Sequence, residues 1–540
     1  MIMTVRKNLP VRLIALSEMK SNIHSYRIVK VKNCYSNKFR TILIPSRLVY
    51  DKRKLIEVLL NNGLAADLDV KEMNEVFDEI KRTPNISVPL LIRPGFFEQK
   101  GELCYATGNG KIIGNYEGLS PRPYPETKSF KNDWHRKGRL VEWQDNVATA
   151  AIHSPQIMLS LCSSIAGFCT FYINIESGGF HIYGDSSKGK STAVMVAASV
   201  YGGSEYVSDW NTTEAAFEEL AESRNHSLVL LDELVMIDTS AKDSAQKRQK
   251  LVYALASGHG KARSGSYQSN KAEWRLTVVS NGESAMEQHA LEGGQNRKNG
   301  EKARLVDVPA DSGYGMGLFR TIPDDLSPST YAESIIEACG LYHGIAGPLF
   351  VKKLLRKDKS VVTALLEERM QRFLNAMKVD GNNGLEKRIA KRFAFSFAAG
   401  SLAAKFKIFP FGDDVIMEAI AFCYMKAVSD GSVLKDFFSE RLEFELKNAT
   451  FQPCYENLDS NDLNDKNVIK YEFKNKKDDS KIKVLAVKAS FFKENLLVSY
   501  DLAISMLKKQ GKLLPDASGK ATRQINYKGR GLKRRYCLIM

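Results

Sequence analysis

Residues 184–191, Gly-Asp-Ser-Ser-Lys-Gly-Lys-Ser, constrain the fold more than any other feature of this 540-residue chain. They match the pattern GxxxxGK[ST] in full, and they lie between a predicted strand at 179–183 and a predicted helix at 192–200. The glycines let the backbone curl so that its N–H groups face phosphate oxygens, and the helix N-terminus adds its dipole. The pattern therefore predicts a parallel α/β sheet with a nucleoside triphosphate bound at its edge.

The residues of this loop are the predicted ligands of ATP. Lys190 is expected to reach the β- and γ-phosphates, and Ser191 is expected to hold Mg²⁺ through its hydroxyl group. Arg388, on a predicted helix after Gly384, is a further candidate for a phosphate contact, although a solvated basic face explains that helix equally well. The predicted nucleotide-binding set is Gly184, Asp185, Ser186, Ser187, Lys188, Gly189, Lys190, Ser191, Thr192 and Arg388.

Two acids follow the apolar run 227–231, whose composition is typical of a central parallel strand. Asp232 is expected to complete the Mg²⁺ shell with Ser191, and Glu233 is expected to orient and polarise the attacking water. A water-polarising carboxylate favours hydrolysis of ATP over phosphoryl transfer to another substrate. A structural role for the two acids is the alternative.

Two further residues complete the predicted catalytic set. A third predicted strand, 274–279, leads to Asn281, which is the candidate sensor of the γ-phosphate; an Asn in a strand-to-loop turn is the alternative. Arg304 begins another buried strand and is predicted to reach the nucleotide of a neighbouring subunit as an arginine finger. Arg297 competes with Arg304 for this role, and a plain salt bridge would explain either residue.

The formal net charge of +16 is concentrated at the two ends of the chain. Residues 1–60 contain 13 Lys/Arg and 3 Asp/Glu, and residues 481–540 contain 14 Lys/Arg and 3 Asp/Glu, whereas the middle of the chain is mildly acidic. This asymmetry predicts terminal modules that contact a polyanion, with nucleic acid as the first candidate and an anionic membrane as the second. Solubility alone is the alternative explanation.

Two basic segments are candidates for DNA contacts. Residues 258–267 are predicted to form a β-hairpin whose Lys261 and Arg263 would face the channel of a ring and hold a phosphate backbone; a loop with incidental charge is the alternative. At the C-terminus, the sequence predicts a winged helix made of two helices, a strand, a basic loop and a closing strand. A basic tail packed on the lid of the ring is the alternative. The predicted phosphate contacts of the winged helix are Arg523, Lys528, Arg530, Arg534 and Arg535.

The composition, 44% hydrophobic and 26% charged, is that of an ordinary globular chain, and its length predicts several domains. The runs 27–31 and 39–45 are predicted strands, and 54–64 is a predicted helix. The predicted domains are an α+β N-terminal domain (1–95), connecting hairpins and loops (96–140), the ATPase core (141–325), a helical lid (326–455), a linker (456–482) and the winged helix (483–540).

Cysteine and histidine are dispersed, without a CxxC pair, so no zinc site built by the protein is expected. No segment has the length and apolarity of a membrane span, and the first residues lack the core of a signal peptide. We therefore expect a cytoplasmic protein that makes no membrane contact.

Residues 139–309 resemble a bacterial family, once labelled a domain of unknown function, that occurs in phages, integrative elements and resistance cassettes. The resemblance rests on residues 179–186, 208–213, 231–233, 258–263 and 304–309. The chain looks like the minichromosome-maintenance-like replicative helicases of staphylococcal chromosome cassettes. This resemblance implies an AAA+ fold, a hexameric ring and translocation on DNA, with a winged helix behind the ATPase. The family often has Thr where this loop has Lys188.

The leading hypothesis is an ATP-driven DNA helicase that starts or sustains replication of a mobile genetic element. It would act on single-stranded and forked DNA, with ATP and Mg²⁺ as cofactors and element-encoded replication proteins as candidate partners. The first alternative is an AAA+ ATPase that loads or remodels a protein partner on DNA. The second is a nucleotide-regulated DNA-binding switch that unwinds nothing.

Overall fold

The computed structural model describes residues 9–19, 22–83, 86–116, 120–125, 127–234, 240–261, 272–379, 383–428, 442, 445–446, 449, 466–474, 481–496, 500–509, 511–516, 518–527, 530–531 and 534–539. The chain forms two compact units. Unit 1 comprises Met1–Trp134, Glu214–His226 and His259–Trp274. Unit 2 comprises His135–Thr213, Ser227–Gly258 and Arg275–Met540.

The strands, in chain order, are β1 (Val11–Met19), β2 (Asn22–Lys32), β3 (Phe39–Pro45), β4 (Ser87–Leu91), β5 (Gly95–Gln99), β6 (Glu102–Ala106), β7 (Ile112–Ile113), β8 (Arg122–Pro123), β9 (Gly178–Tyr183), β10 (Ser208–Asp209), β11 (Leu228–Leu234), β12 (Thr277–Gly282), β13 (Leu305–Pro309), β14 (Val468–Lys474), β15 (Lys481–Lys488), β16 (Thr522–Arg523), β17 (Asn526–Tyr527), β18 (Arg530–Gly531) and β19 (Arg535–Ile539).

The α-helices are α1 (Lys52–Asn61), α2 (Val70–Lys81), α3 (Leu140–Trp143), α4 (Ala150–His153), α5 (Pro155–Cys169), α6 (Lys190–Ala198), α7 (Glu214–Ser223), α8 (Ala241–Ser257), α9 (Met286–Glu292), α10 (Asn299–Lys302), α11 (Pro328–Leu341), α12 (Ala346–Leu354), α13 (Lys359–Ala376), α14 (Gly384–Lys405), α15 (Asp413–Val428), α16 (Ala489–Glu494) and α17 (Tyr500–Lys509). Short 3₁₀-helices lie at Ser46–Tyr50 and Ser204–Tyr206, and a π-helix lies at Gln144–Ala148.

Unit 1 is built on a sheet with the strand order β3-β2-β1-β4-β8, and β5, β6 and β7 form a second sheet. One face of the larger sheet packs on α1 and α2, and its buried core includes Val29, Ile42, Leu55 and Phe77. The first turn of α2 is stabilised by a capping box, because Asp69 accepts from the Glu72 N–H and Glu72 accepts from the Asp69 N–H. The predicted strands at 27–31 and 39–45 are confirmed, and the predicted helix at 54–64 is present as α1, which ends at Asn61.

Unit 2 contains a parallel sheet with the strand order β10-β11-β12-β9-β13, which confirms the predicted α/β class. β9 lies between β12 and β13, and most of its residues are buried. The sequence predicts the third strand at 274–279, whereas β12 begins at Thr277 and extends to Gly282. The difference arises because Ser280 and Asn281, which interrupt the apolar pattern, are buried and pair in register with His181 and Ile182.

The most apolar helix of unit 2 is α5, whose fifteen residues are all buried. It begins after Ser154, whose hydroxyl accepts from the Ile157 N–H. Neighbouring elements approach it closely, since a Cβ on Gly167 would lie 2.4 Å from the Ser227 carbonyl carbon, and α6 and α14 pack against it. α5 is thus a core helix, and among the described helices none combines the length and apolarity needed to cross a membrane.

The C-terminal part of unit 2 contains an antiparallel sheet with the strand order β14-β15-β19-β16, and a separate hairpin of β17 and β18. The sequence predicts a linker at 456–482, but β14 lies within that range and pairs with β15 over its whole length. β14 resembles a linker in sequence because charged residues alternate with apolar ones, of which Ile469 belongs to a small core. The two predicted helices of this region are present as α16 and α17.

Candidate nucleotide-binding site

The phosphate loop joins β9 to α6, as the sequence predicts. β9 ends at Tyr183 and α6 begins at Lys190, so the loop connects the carboxyl end of a parallel strand to a helix N-terminus. Gly189 has a φ of 83°, and a Cβ at this position would lie 2.1 Å from Leu318 Cδ2. The Leu318 N–H donates to the Lys188 carbonyl at 3.0 Å and supports the loop from behind. Both the conformation and the packing therefore require glycine at position 189.

Lys190 is held inside the loop by the first turn of α6. Its ammonium group donates to the carbonyl oxygens of Gly184 and Asp185, each at 2.7 Å. Partial burial lowers the pKa of Lys190, and the nearby carboxylates of Glu283, Asp185 and Asp232 act in the opposite direction.

The remaining loop side chains differ in exposure. Ser186, Ser187 and Ser191 are exposed, and the hydroxyl of Ser191 lies in the first turn of α6. Thr192 is buried, and its N–H donates to the Gly189 carbonyl at 3.0 Å. Ser191 is therefore accessible as an oxygen ligand, whereas the structure does not bring the side chain of Thr192 to the surface of the loop.

Asp232 and Asn281 lie on the two strands that follow β9 across the sheet. Leu231 of β11 is opposite Ser280 of β12, and Asn281 is opposite Ile182 of β9. Both polar residues consequently lie at the carboxyl edge of the sheet, where the phosphate loop begins. Asn281 is buried inside β12 rather than following it.

The donors at this edge are hard oxygen ligands. Asp232 is opposite Asp209 of β10, and the exposed hydroxyl of Ser191 lies at the start of α6. Such a set fits Mg²⁺, which takes one or two carboxylates and fills its other positions with water and phosphate oxygens. In the described part of the chain, no three His, Cys, Asp or Glu side chains form a metal site alone. The backbone of Glu233 belongs to β11, and its side chain lies outside the described residues.

Two acids beside the loop were not predicted from the sequence. Ser186 Oγ donates to Glu283, which follows β12, and Lys188 Nζ lies 3.0 Å from Asp311 Oδ2, which follows β13. The Gly313 N–H and the Lys188 ammonium lower the pKa of Asp311. The signal available in the sequence was position, because each acid comes within two residues of the end of a strand whose carboxyl end meets the loop.

A buried polar layer lies in the sheet below the loop. His181 Nδ1 is 2.8 Å from Ser280 Oγ, and His181 Nε2 is 3.0 Å from the Ser284 carbonyl oxygen. Because a carbonyl only accepts, Nε2 carries the proton and Nδ1 accepts from the Ser280 hydroxyl. Burial lowers the pKa of His181 to about 4, although Asp307 on β13 acts to raise it. The imidazole is therefore neutral in the folded protein near neutral pH.

Acidification is expected to destabilise the protein through His181. The pKa in the folded state, about 4, lies below the ordinary value of 6.5. The unfolded chain therefore binds more protons between these values, and stability falls as the pH decreases through this window, by about 2 kcal/mol between roughly pH 7 and pH 5. Chemical denaturation of wild type and His181→Gln at both pH values measures this loss. The variant should lack it, and equal pH dependence in the two proteins would contradict the assignment.

Arg304 and Arg388 meet one carboxylate at the amino edge of the sheet. Glu176, which precedes β9, lies 2.6 Å from Arg304 Nη2 and 3.0 Å from Arg388 Nη2. The six residues of β9 span roughly 20 Å at about 3.3 Å per residue, so this cluster and the phosphate loop lie at opposite edges. The structure does not bring either arginine to the phosphate loop of its own chain, and the predicted contact of Arg388 with phosphate stays a prediction.

Arg392 lies one turn of α14 from Arg388 and has a different environment. Its buried guanidinium donates to the carbonyl oxygens of Ala303 and Glu176, and burial lowers its pKa to about 10. Arg392 thereby attaches α14 to the segments that precede β9 and β13.

Arg297 is enclosed by groups of its own chain. Its Nη1 lies 2.7 Å from Asp307 Oδ2, its Nε lies 3.4 Å from Glu301, and Nη2 donates to the Leu305 carbonyl. The side chain of Arg297 is 2% exposed, compared with 22% for Arg304. Of the two candidate arginine fingers, only Arg304 therefore reaches the surface of the chain.

The predicted DNA-binding hairpin is described only at its start. In unit 1, the Lys261 ammonium pairs with Glu214, and the Lys261 N–H donates to Glu218 at 3.1 Å. Both acids belong to α7, so this end of the segment is attached to that helix. Arg263 lies outside the described residues.

The C-terminal residues predicted to contact DNA differ in their burial. Arg534 is exposed and pairs with Asp516, whose pKa is lowered by hydrogen bonds from Ser518 and Arg534. Arg535 is buried and donates to the Lys466 carbonyl at 2.8 Å. This burial removes Arg535 from the expected phosphate contacts, while Arg523 and Arg534 stay at least partly exposed. Lys528 and the side chain of Arg530 lie outside the described residues.

Comparison with known proteins adds a family match and a structural match. The sequence profile of a family described as "Domain of unknown function (DUF927)" matches residues 7–274. No curated protein matches the chain. A solved structure described as "SCCmec type IV Cch - active helicase" superposes with a TM-score of 0.60 and 18% sequence identity, covering 98% of this chain and 93% of that one. The chain therefore shares its fold with that helicase structure over nearly its whole length.

Proposed function

We propose that this protein is an ATP-dependent DNA helicase of the AAA+ class. It assembles as a hexameric, minichromosome-maintenance-like ring and couples ATP hydrolysis to movement along a single strand, in replication of a mobile genetic element. The observation that carries the proposal is the phosphate loop, in which the Lys190 ammonium lies 2.7 Å from two loop carbonyls. The fold shared with a helicase structure over 98% of the chain supports the same proposal.

The residues at the carboxyl edge of the sheet would perform the chemistry. Lys190 binds the β- and γ-phosphates, Asn281 orients the γ-phosphate, and Glu233 polarises the attacking water. Ser191 and Asp232 would hold Mg²⁺, which neutralises charge that develops on the phosphates. The N-terminus of α6 adds its dipole to the phosphate site.

The position of Arg304 supports a site shared between two subunits. Within one chain it lies at the amino edge of the sheet, bound to Glu176 and to the Gly300 carbonyl, and its guanidinium is 4.9 Å from the centroid of the Tyr253 ring. An arginine at that edge stabilises the transition state only in the site of a neighbouring copy. We therefore assign Arg304 as the arginine finger and exclude Arg297, which is enclosed.

Strand displacement from a forked duplex tests the proposed activity. Wild-type protein with ATP and Mg²⁺ should release the labelled strand, and single-stranded DNA should stimulate its ATP hydrolysis. A protein that loads or remodels a partner would hydrolyse ATP without displacing the strand. A DNA-binding switch would turn over slowly and prefer duplex DNA. Either of these last two outcomes would contradict the helicase proposal.

A mixing experiment tests the shared site. Lys190→Ala removes the phosphate lysine but keeps the finger, and Arg304→Ala does the reverse, so each variant alone should lose ATP hydrolysis. In a mixed ring, some sites combine an intact loop with an intact finger, and we expect partial recovery of phosphate release. The matched control mixes Arg304→Ala with the double variant Lys190→Ala/Arg304→Ala, which supplies no finger. Equal rates in both mixtures would show that Arg304 does not act across a subunit boundary.

A further inference from the structure

Unit 1 presents basic side chains on the sheet face that is turned away from α1 and α2. Val29 and Val31 of β2 belong to the core that these helices cover. Because side chains alternate along a strand, Lys30 and Lys32 lie on the opposite face, and both are exposed. This face is therefore basic at the end of β2 that leads into the β2–β3 hairpin.

The neighbouring strands extend this surface with an arginine and an aromatic ring. Arg12 of β1 is opposite Lys30, and Phe39 of β3 is opposite Lys32. The Arg12 guanidinium lies 5.2 Å from the centroid of the Phe39 ring, which is 42% exposed. Directly opposed residues on neighbouring strands lie about 5 Å apart, so the four side chains form one compact patch.

The tip of the hairpin carries a second ring on an anchored backbone turn. Asn33 Oδ1 accepts from the N–H groups of Tyr35 and Ser36 at 3.0 and 2.9 Å, and the Cys34 N–H donates to the Gly63 carbonyl at 2.9 Å. These bonds anchor the turn to itself and to the chain after α1. Tyr35 is 94% exposed at this anchored tip.

The charge of this segment has one sign. Residues 30–40 contain Lys30, Lys32, Lys38 and Arg40 but no Asp or Glu. Among the residues that the structure describes, no carboxylate pairs with Lys30, Lys32 or Lys38. The patch is therefore complementary to a polyanion, and its rings offer flat apolar faces beside the cations.

We propose that the hairpin surface formed by Arg12, Lys30, Lys32, Tyr35 and Phe39 binds single-stranded DNA. The cations contact phosphates, and the two rings stack on bases, a combination that binds single strands with little sequence preference. A duplex hides its base faces inside the stack, so exposed rings favour the single strand. This site lies in the basic N-terminal part of unit 1, it uses none of the residues named from the sequence as DNA contacts, and it does not require ATP hydrolysis.

Binding of the full chain to a fluorescent oligothymidylate of about 20 nucleotides, without ATP, tests the proposal by anisotropy. Tyr35→Ala and Phe39→Ala should each weaken binding about tenfold, which is the usual cost of losing one stacked base. The double variant Lys30→Gln/Lys32→Gln should weaken binding and reduce its dependence on salt concentration. Thermal melting of each variant checks that folding is retained.

Two matched controls separate the patch from general surface effects. Tyr50→Ala removes a ring that is 87% exposed but lies outside the hairpin, and Lys71→Gln removes an exposed cation on α2, which packs on the other face of the sheet. Both controls should bind the oligonucleotide as wild type does.

Three outcomes would overturn the proposal. They are an equal loss of binding in Tyr35→Ala and Tyr50→Ala, unchanged binding in the patch variants, and tighter binding to a duplex of equal length. A wild type that binds the oligonucleotide without hydrolysing ATP would overturn only the helicase proposal.

Discussion

ATP hydrolysis by the Lys190→Ala variant is expected to fall at least about a hundredfold below the wild-type rate, which corresponds to about 2.7 kcal/mol of lost transition-state stabilisation. We expect this loss because α6 holds the ammonium group of Lys190 inside the phosphate loop, 2.7 Å from the Gly184 and Asp185 carbonyls. No other cation of the described loop is in this position, since Lys188 pairs with Asp311. Phosphate release with and without single-stranded DNA measures the effect.

The control for this prediction is Lys353→Ala, which removes an exposed lysine from the last turn of α12. It should retain the wild-type rate. Both variants should melt close to the wild-type temperature, because Lys190 is partly exposed and water can satisfy the loop carbonyls that it leaves. A Lys190→Ala protein that keeps more than about a tenth of the wild-type rate would show that the loop is not the hydrolytic site.

The second large effect is expected from Gly179→Ala, which should destabilise the protein by more than about 4 kcal/mol or prevent its folding. A Cβ at position 179 would lie 1.8 Å from the Val278 carbonyl oxygen in the neighbouring strand. β9 cannot move away, because it is paired on its other side with β13, where the Gly179 N–H donates to the Arg304 carbonyl at 2.8 Å. The added methyl group would therefore clash with backbone atoms of the parallel sheet.

Gly384→Ala is the matched control, because this glycine begins α14 and a Cβ there would meet nothing within 4 Å. Alanine is the better helix former, so this variant should be as stable as wild type or more stable. Soluble yield and chemical denaturation distinguish the two substitutions. A Gly179→Ala protein with wild-type stability would mean that the packing of β9 against β12 is looser than the structure describes.

The phosphate loop could be predicted from the sequence because its parts are adjacent in the chain. The strand before it, the glycines that let it turn and the helix after it all lie within residues 178–198. Asp232 and Asn281 could be predicted for a related reason, since each comes at or near the end of an apolar strand and such ends meet at one edge of a parallel sheet. The pattern was less reliable for β12, because a buried Ser and Asn look like a turn in sequence.

What the sequence by itself determined is the strand, turn and helix of residues 178–198, since the backbone conformation of a loop depends on consecutive residues. Only the tertiary structure decided which charged residues are enclosed and which reach the surface. Arg388 pairs with Glu176 across 212 positions, Arg297 is buried beside Asp307, and Arg535 is buried against the segment before β14. The sequence alone does not distinguish these three arginines from one another. Its role follows from burial and from partners that only folding brings together, because desolvation of a charge is tolerated only where such partners exist.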